Sequence, residues 1–254
     1  MREGTEDASS GARREASGNL PGRPDAGGVS FIIPCFNERE NLPRLVEEAL
    51  ATLPGLLPEF ELLLVDDGSA DGTREEAQRL ARLDPCVRAL AHERNRGMGA
   101  AIRTGLAQAR FPWSMSVPGD GQFDPARVAD FLPHRPDADL LLGCRTNRVE
   151  GVRRRLVSWV NRTLIRILFL VRVQDPAWVK MVRTDLARRC NLTSDGFFWE
   201  TEILVRASRL GAHLRDVPTA CRSREHGVST ASTLRSVVRT ALAMLRFRIA
   251  GGRP

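Results

Sequence analysis

The sequence predicts an α/β protein with a mostly parallel sheet flanked by helices. Three observations predict it. Short apolar runs of strand length alternate with helix-length segments from residue 29 to residue 144. The acidic and glycine-rich clusters fall at the carboxyl ends of those runs, where doubly wound sheets bind ligands. The chain has 254 residues and is 42% hydrophobic, enough for one large domain or two small ones.

The elements follow in order. Residues 29–34 (VSFIIP) form the first strand. Residues 41–53 read as a helix, with Pro43 tolerated in its first turn. Residues 60–67 (FELLLVDD) form the second strand. Thr73 and Glu76 have the spacing of a capping box, opening a helix to Leu83. Residues 87–93 are a third strand, 99–110 a helix and 113–117 a fourth strand. Asp124 and Pro125 suit the N-cap and first turn of a helix ending at Leu132. Residues 139–144 (DLLLGC) are the fifth strand. Residues 1–28 lack an apolar period and read as a disordered tail.

The net charge is +7, and Lys180 is the only lysine beside 37 arginines. The excess is uneven. Residues 145–172 hold eight arginines against Glu150, and residues 222–254 hold seven against Glu225. Such charge suits nucleic acid, anionic lipid or a phosphorylated substrate. Aromatic residues are few and do not interleave with the basic runs, so no nucleic acid is expected. Cys35, Cys86, Cys144, Cys190 and Cys221 form no CxxC or Cys/His cluster, which argues against zinc and for a reducing, cytoplasmic compartment. No signal peptide and no membrane span are expected.

Four clusters could carry chemistry. Pro34-Cys35-Phe36-Asn37-Glu38 follows the first strand; Phe36 could stack on a base and Glu38 could accept hydrogen bonds, or the segment is a turn and helix start. Asp66-Asp67-Gly68-Ser69-Ala70-Asp71-Gly72-Thr73 follows the second strand, and its adjacent carboxylates need solvent, a donor or a cation. Asn95-Arg96-Gly97-Met98-Gly99 opens a helix; its glycines suit phosphate binding or, the better reading, close helix–sheet packing. Gly119-Asp120-Gly121-Gln122 follows the fourth strand and sets two oxygen ligands at i and i+2, or is simply a turn. The four histidines are scattered and read as structural or solvated.

Together these clusters resemble the family 2 glycosyltransferases, and more narrowly their dolichol-phosphate mannosyltransferase and polyprenyl-phosphate glycosyltransferase branch. The matching pieces are SFIIPCFNERENLP, LLLVDDGSADGT, NRGMGAAIRTGL, GDGQFDP, GCR, RRLVSWVN, FFWETEILVRASRLG, VP and REHGVST, in the family's order across residues 29–230. The resemblance implies a GT-A domain over 29–230. The apolar face of Leu234, Val237, Val238, Ala241, Leu242, Leu245 and Ile249, opposed by Arg235, Arg239 and Arg246, reads as a basic amphipathic helix within 231–254, suited to a membrane surface or to packing on the domain. The resemblance also implies an inverting transfer from a GDP- or UDP-sugar donor to a polyprenyl-phosphate acceptor at a membrane surface. It implies that Pro34, Phe36, Glu38, Val65 and Asp67 hold the nucleoside. Asp120 and Gln122 would face Mg²⁺ or Mn²⁺, with Asp120 and Arg145 serving catalysis. Arg154, Arg155 and Ser158 match acceptor-phosphate positions, Arg222 and Arg224 a later phosphate element, and Glu200 and Glu202 an acidic pair.

Two departures stand out. Pro118 occupies the first Asp position of the family's Asp-x-Asp-x-Gln, removing one carboxylate from the metal motif. Trp178 stands in Asp175-Pro176-Ala177-Trp178-Val179-Lys180, where the family has a glycine-containing D-P-x-C-G-F-K-like segment. Two further functions therefore stay open. One is transfer to a glycan or small hydroxyl acceptor, with Glu200 or Glu202 as base. The other is nucleotide-sugar binding with weak catalysis.

Overall fold

The computed structural model describes residues 27–146, 152–222 and 234–250, with backbone alone for 152–156 and 234–237. The expected tail at 1–28 lies outside this range apart from Gly27 and Gly28, and so does Arg224.

Seven strands form one sheet in the order β3-β2-β1-β4-β6-β5-β7. They are β1 (Val29–Cys35), β2 (Phe60–Asp66), β3 (Val87–Ala91), β4 (Trp113–Ser116), β5 (Leu140–Arg145), β6 (Lys180–Arg183) and β7 (Leu214–Thr219). The helices are α1 (Leu42–Thr52), α2 (Thr73–Leu83), α3 (Met98–Gln108), α4 (Val152–Phe169), α5 (Thr184–Arg189), α6 (Trp199–Arg209) and α7 (Leu234–Ile249). The pairs β1–β2, β2–β3, β1–β4 and β5–β7 are parallel; β6 runs antiparallel between β4 and β5. The sheet is thus mostly parallel, as the alternation of elements implies.

Side chains alternate across the pleat and feed two cores. Phe31, Ile33, Leu62, Leu64, Met115, Leu141 and Met181 face the core shared with α1 and α2. Ile32, Leu63, Val65, Leu140, Leu142 and Val182 face the core shared with α3 and α6. Both faces are covered, which is why the central strands are largely apolar, with Ser30, Glu61 and Ser114 as buried exceptions. α7 joins the second core through Met244 and Phe247.

Two helix starts differ from expectation. The capping box does not form: α2 is capped by Gly72 at φ +93°, and Thr73 is its first residue. The Thr73 hydroxyl is already engaged, donating to Asp71 at 2.6 Å and accepting the Glu38 N–H at 2.9 Å. Glu76 pairs with Arg79 instead. Asp124 does cap, accepting the Ala126 N–H at 2.9 Å, but the segment it opens is a 3₁₀ helix over Pro125–Asp130.

Candidate active site

The carboxyl ends of β1, β2 and β4 face one open cavity of about 1380 Å³. Pro34, Phe36, Glu38, Asp67, Arg96, Pro118, Asp120, Gln122, Arg145 and Glu200 all reach it. The first two sequence clusters interlock at its rim. Asn37, at φ +56°, donates its N–H to the Ser69 hydroxyl and accepts the Ala70 N–H on its side chain. Phe36 is left exposed at the mouth.

The adjacent carboxylates of the second cluster part company. Asp66 turns away and accepts the Ser69 N–H at 3.2 Å. Asp67 faces the cavity and accepts the Arg96 and Gly97 N–H groups at 2.9 and 2.7 Å. His92 Nδ1 lies 2.7 Å from Asp67 Oδ1, and its Nε2 lies 2.9 Å from the Thr104 hydroxyl. His92 is therefore tied to the Asp67 wall of the cavity; the sequence offers no spacing that links it to Asp67. Val65, expected at the nucleoside, puts its side chain into the core instead, because it precedes Asp66 on the opposite face of the pleat.

The glycines of the third cluster pack on a loop, not on the sheet. A Cβ on Gly97 would come 2.3 Å from the Asp195 carbonyl oxygen, and one on Gly99 2.2 Å from that of Ser194. The expected helix–sheet contact is made by Gly105 against Ile32. The 193–196 loop is in turn organised by Glu202. That side chain is fully buried and accepts the Thr193 and Ser194 N–H groups, the Thr193 hydroxyl and the Arg206 guanidinium. The acidic pair thus splits: Glu202 is structural, and Glu200 alone lines the cavity.

Beside the cavity runs a chain of charges stacked on two indoles, of which Arg145, Glu200, Trp178 and Trp199 reach the cavity itself. Arg145 grips Asp175 through two hydrogen bonds of 2.7 and 3.0 Å and lies over Trp178 at 4.9 Å. Lys180 donates to the Trp178 carbonyl at 3.0 Å, lies 3.8 Å from Glu200 and sits over the Trp199 ring. Burial holds the Lys180 amine below its ordinary range, and burial holds the Glu200 carboxyl above its own. The indole N–H groups of Trp178 and Trp199 have no hydrogen-bond partner among the described residues.

Asp120 is buried, accepts the Gln122 N–H at 3.1 Å and faces the cavity. No group of three or more His, Cys, Asp or Glu positioned for a metal exists among the described residues. One carboxylate and one amide fit a hard cation only if phosphate oxygens and water complete the shell. Arg222, expected at the phosphates, is not at the cavity. Its guanidinium pairs with Glu48 and with Asp124 at 2.9 Å, and its N–H donates to the Gln122 carbonyl, strapping the 119–122 loop to α1. Ser158 is half-buried on α4 and does not line the cavity; the side chains of Arg154 and Arg155 lie outside the described residues.

The model for glycosyl transferase family 2 matches residues 30–205, most of the chain and all the strands but β7. The chain belongs to glycosyl transferase family 2. Three curated relatives are similar over most of its length. Dodecaprenyl-phosphate galacturonate synthase of Rhizobium johnstonii is 30% identical, covering 89% of this chain and 69% of the relative. Undecaprenyl-phosphate mannosyltransferase of Micrococcus luteus is 32% identical over 80% of this chain and 87% of the relative. Polyprenol monophosphomannose synthase of Mycolicibacterium smegmatis is 31% identical over 87% and 88%. Among solved structures, glucosyl-3-phosphoglycerate synthase from Mycobacterium tuberculosis, in complex with Mn²⁺, UDP and phosphoglyceric acid, superposes with TM-score 0.69 at 19% identity. It covers 91% of this chain and 84% of that one. That likeness establishes the GT-A fold. As a member of family 2, the chain is a glycosyltransferase.

Proposed function

We propose that this enzyme transfers a sugar, with inversion, from a GDP- or UDP-sugar to a polyprenyl phosphate at the cytoplasmic face of a membrane. The observation that carries the reading is one cavity joining the loops after β1, β2 and β4 to α7, which packs beside α4, both helices carrying exposed apolar residues. Trp159, Val160 and Ile167 on α4, and Val238, Leu242, Leu245 and Ile249 on α7, are all exposed. Arg166, Arg239 and Arg246 lie on the same helices. An apolar face with flanking arginines suits a protein lying on an anionic bilayer. No helix among the described residues is long and apolar enough to cross one. The three relatives are named for polyprenyl-phosphate or polyprenol sugar transfer, which supports the acceptor class. In this reading residues 29–230 form the catalytic domain, and the helix within 231–254 completes the cavity wall.

Pro34, Phe36, Glu38 and Asp67 bind the nucleoside. An acceptor phosphate oxygen forms the new bond to the anomeric carbon, on the face opposite the diphosphate. The old anomeric C–O bond breaks, and its electron pair leaves on the nucleoside diphosphate. The acceptor is already anionic, so it needs positioning rather than a base. Arg145, set by Asp175, supplies part of that positioning. Asp120 and Gln122 would hold Mg²⁺ or Mn²⁺ together with the diphosphate, and that ion would neutralise the leaving charge.

Glu200 favours a second reading. It lines the cavity with its pKa raised, the character of a base for a hydroxyl acceptor. The test is transfer from a panel of GDP- and UDP-sugars to a short polyprenyl phosphate and to hydroxyl acceptors, with Mn²⁺, Mg²⁺ or EDTA. Transfer to the lipid phosphate supports the first reading. Transfer only to a hydroxyl acceptor replaces it with the second.

A further inference from the structure

We infer that Arg239 and Arg246 of α7 form a phosphate-binding pair in the cavity wall, outside every sequence motif matched above. The inference rests on the reading of a phosphorylated donor and acceptor.

The two arginines are seven residues apart, so they lie about 20° apart around the helix axis and about 10 Å apart along it. Both line the cavity, and Ala243 and Ala250, small residues on the same stripe, leave room before them. The helix is not free to turn them away. Phe247 packs edge-on against Phe169 and Phe198, with ring centroids 5.9 and 5.3 Å apart, and Met244 is buried. Arg206 and Arg209 lie over the outer part of Phe247.

Their charge is unspent. Arg145 is held by Asp175 and Arg222 by Glu48 and Asp124, whereas no carboxylate among the described residues pairs with Arg239 or Arg246. Two guanidinium groups at the wall of one cavity, without a carboxylate partner among the described residues, suit an anion that both can reach. Pro118 raises the need for them, since it withdraws a carboxylate from the cation motif and leaves more phosphate charge to side chains. The exposed stripe of Val238, Leu242, Leu245 and Ile249 lies about a quarter turn from the arginines. A phosphate held by the pair therefore sits where the bilayer-facing surface meets the cavity. The ligand chemistry is a phosphoryl group, from either the acceptor phosphomonoester or the donor diphosphate.

The experiment is calorimetric titration of the full chain with farnesyl phosphate, with UDP and GDP, and with uridine and guanosine. The proteins compared are wild type, R239Q/R246Q, the two single glutamine variants, R239K/R246K and the remote control R82Q on α2. The double glutamine variant is expected to weaken one phosphorylated ligand at least tenfold and to leave the nucleosides unchanged. The lysine variant is expected to retain most of the affinity, and R82Q all of it. Loss confined to farnesyl phosphate assigns the pair to the acceptor, and loss confined to the nucleoside diphosphate assigns it to the donor. If wild type binds no farnesyl phosphate but the arginine-dependent loss on UDP or GDP persists, the acceptor reading falls and the site stands. Should the double variant lose its helical signal, the single variants read the same ratio. Unchanged affinity for every phosphorylated ligand in folded variants, or no binding of any by wild type, overturns the inference.

Discussion

Arg145, at the cavity wall, and Asp175 behind it form a two-pronged ion pair, 2.7 and 3.0 Å long. The family resemblance marks Arg145 as a residue for the reaction; the structure adds what aims it. Asp175 fixes the plane of the guanidinium, and Trp178 backs it at 4.9 Å. Both partners are nearly buried, so the geometry is held by protein rather than by solvent.

Removing Asp175 should therefore act twice. Asp175→Asn leaves a buried guanidinium without its counter-charge, at a cost of about 3 kcal/mol. It should also lower kcat more than it changes nucleotide affinity, because Arg145 loses its orientation. Urea denaturation and steady-state kinetics check this. Wild-type stability together with wild-type kcat would refute the positioning role.

His92 should matter to nucleotide binding although it does not line the cavity. Its imidazole bridges Asp67 and Thr104. Asp67 in turn holds the Arg96 and Gly97 N–H groups. His92→Ala should destabilise by about 2 kcal/mol and weaken UDP or GDP binding several-fold. His92→Gln, which keeps a donor, should recover part of both. Equal affinities in all three proteins would detach His92 from the site.

Restoring a carboxylate at position 118 should strengthen cation binding. Pro118 lies at the rim beside Asp120, and the present donors number one carboxylate and one amide. Pro118→Asp should tighten Mn²⁺ binding in the presence of nucleoside diphosphate by about tenfold. Titration followed by Mn²⁺ magnetic resonance reads the change. No gain would mean that position 118 does not reach the ion.

Glu200 carries a pH signature. Burial raises its folded pKa above the ordinary carboxyl value of 4.5, despite the neighbouring Lys180 ammonium. The folded protein thus holds the Glu200 proton where the unfolded chain has released it. This contribution to stability falls as pH rises above 4.5 and levels off beyond the folded pKa. Glu200→Gln removes the titration. The stability of the variant relative to wild type should therefore rise with pH across that window. Denaturation of both proteins from pH 4 to pH 8, about the range that brackets the shift, reads it. A difference that falls with pH would reverse the sign of the shift.

Much of the fold was legible in the chain. The strands at 60–67 and 139–144 are visible through their Leu-rich runs and that at 29–34 through Phe31-Ile32-Ile33, while those at 87–93 and 113–117, broken by Arg88 and by Ser114 and Ser116, are placed by their position between helices. The last two strands are not. β6 is four residues with Lys180 and Arg183 at its ends, both buried by pairing with neighbours that only the folded sheet supplies. β7 has charged and polar residues facing out and a Pro at position 218, as an edge strand allows.

The site divides along the same line. Linear motifs identify the family, the loops after β1, β2 and β4, and the altered cation motif, because each needs only a few consecutive residues at a strand end. Roles that depend on long-range pairing were decided by packing. Asp67 is tied to His92, Arg145 to Asp175 and Arg222 to Glu48, across 25, 30 and 174 positions of chain. Glu200 and Glu202 are two residues apart, yet one faces the cavity and the other is enclosed, because the rotation of α6 separates them. The arginines of α7 looked like one polar face of a surface helix. Only the seating of Met244 and Phe247 in the second core turns that face to the cavity. Local chemistry specified which polar residues stand at the strand ends; the burial of a few apolar anchors specified which charges meet there.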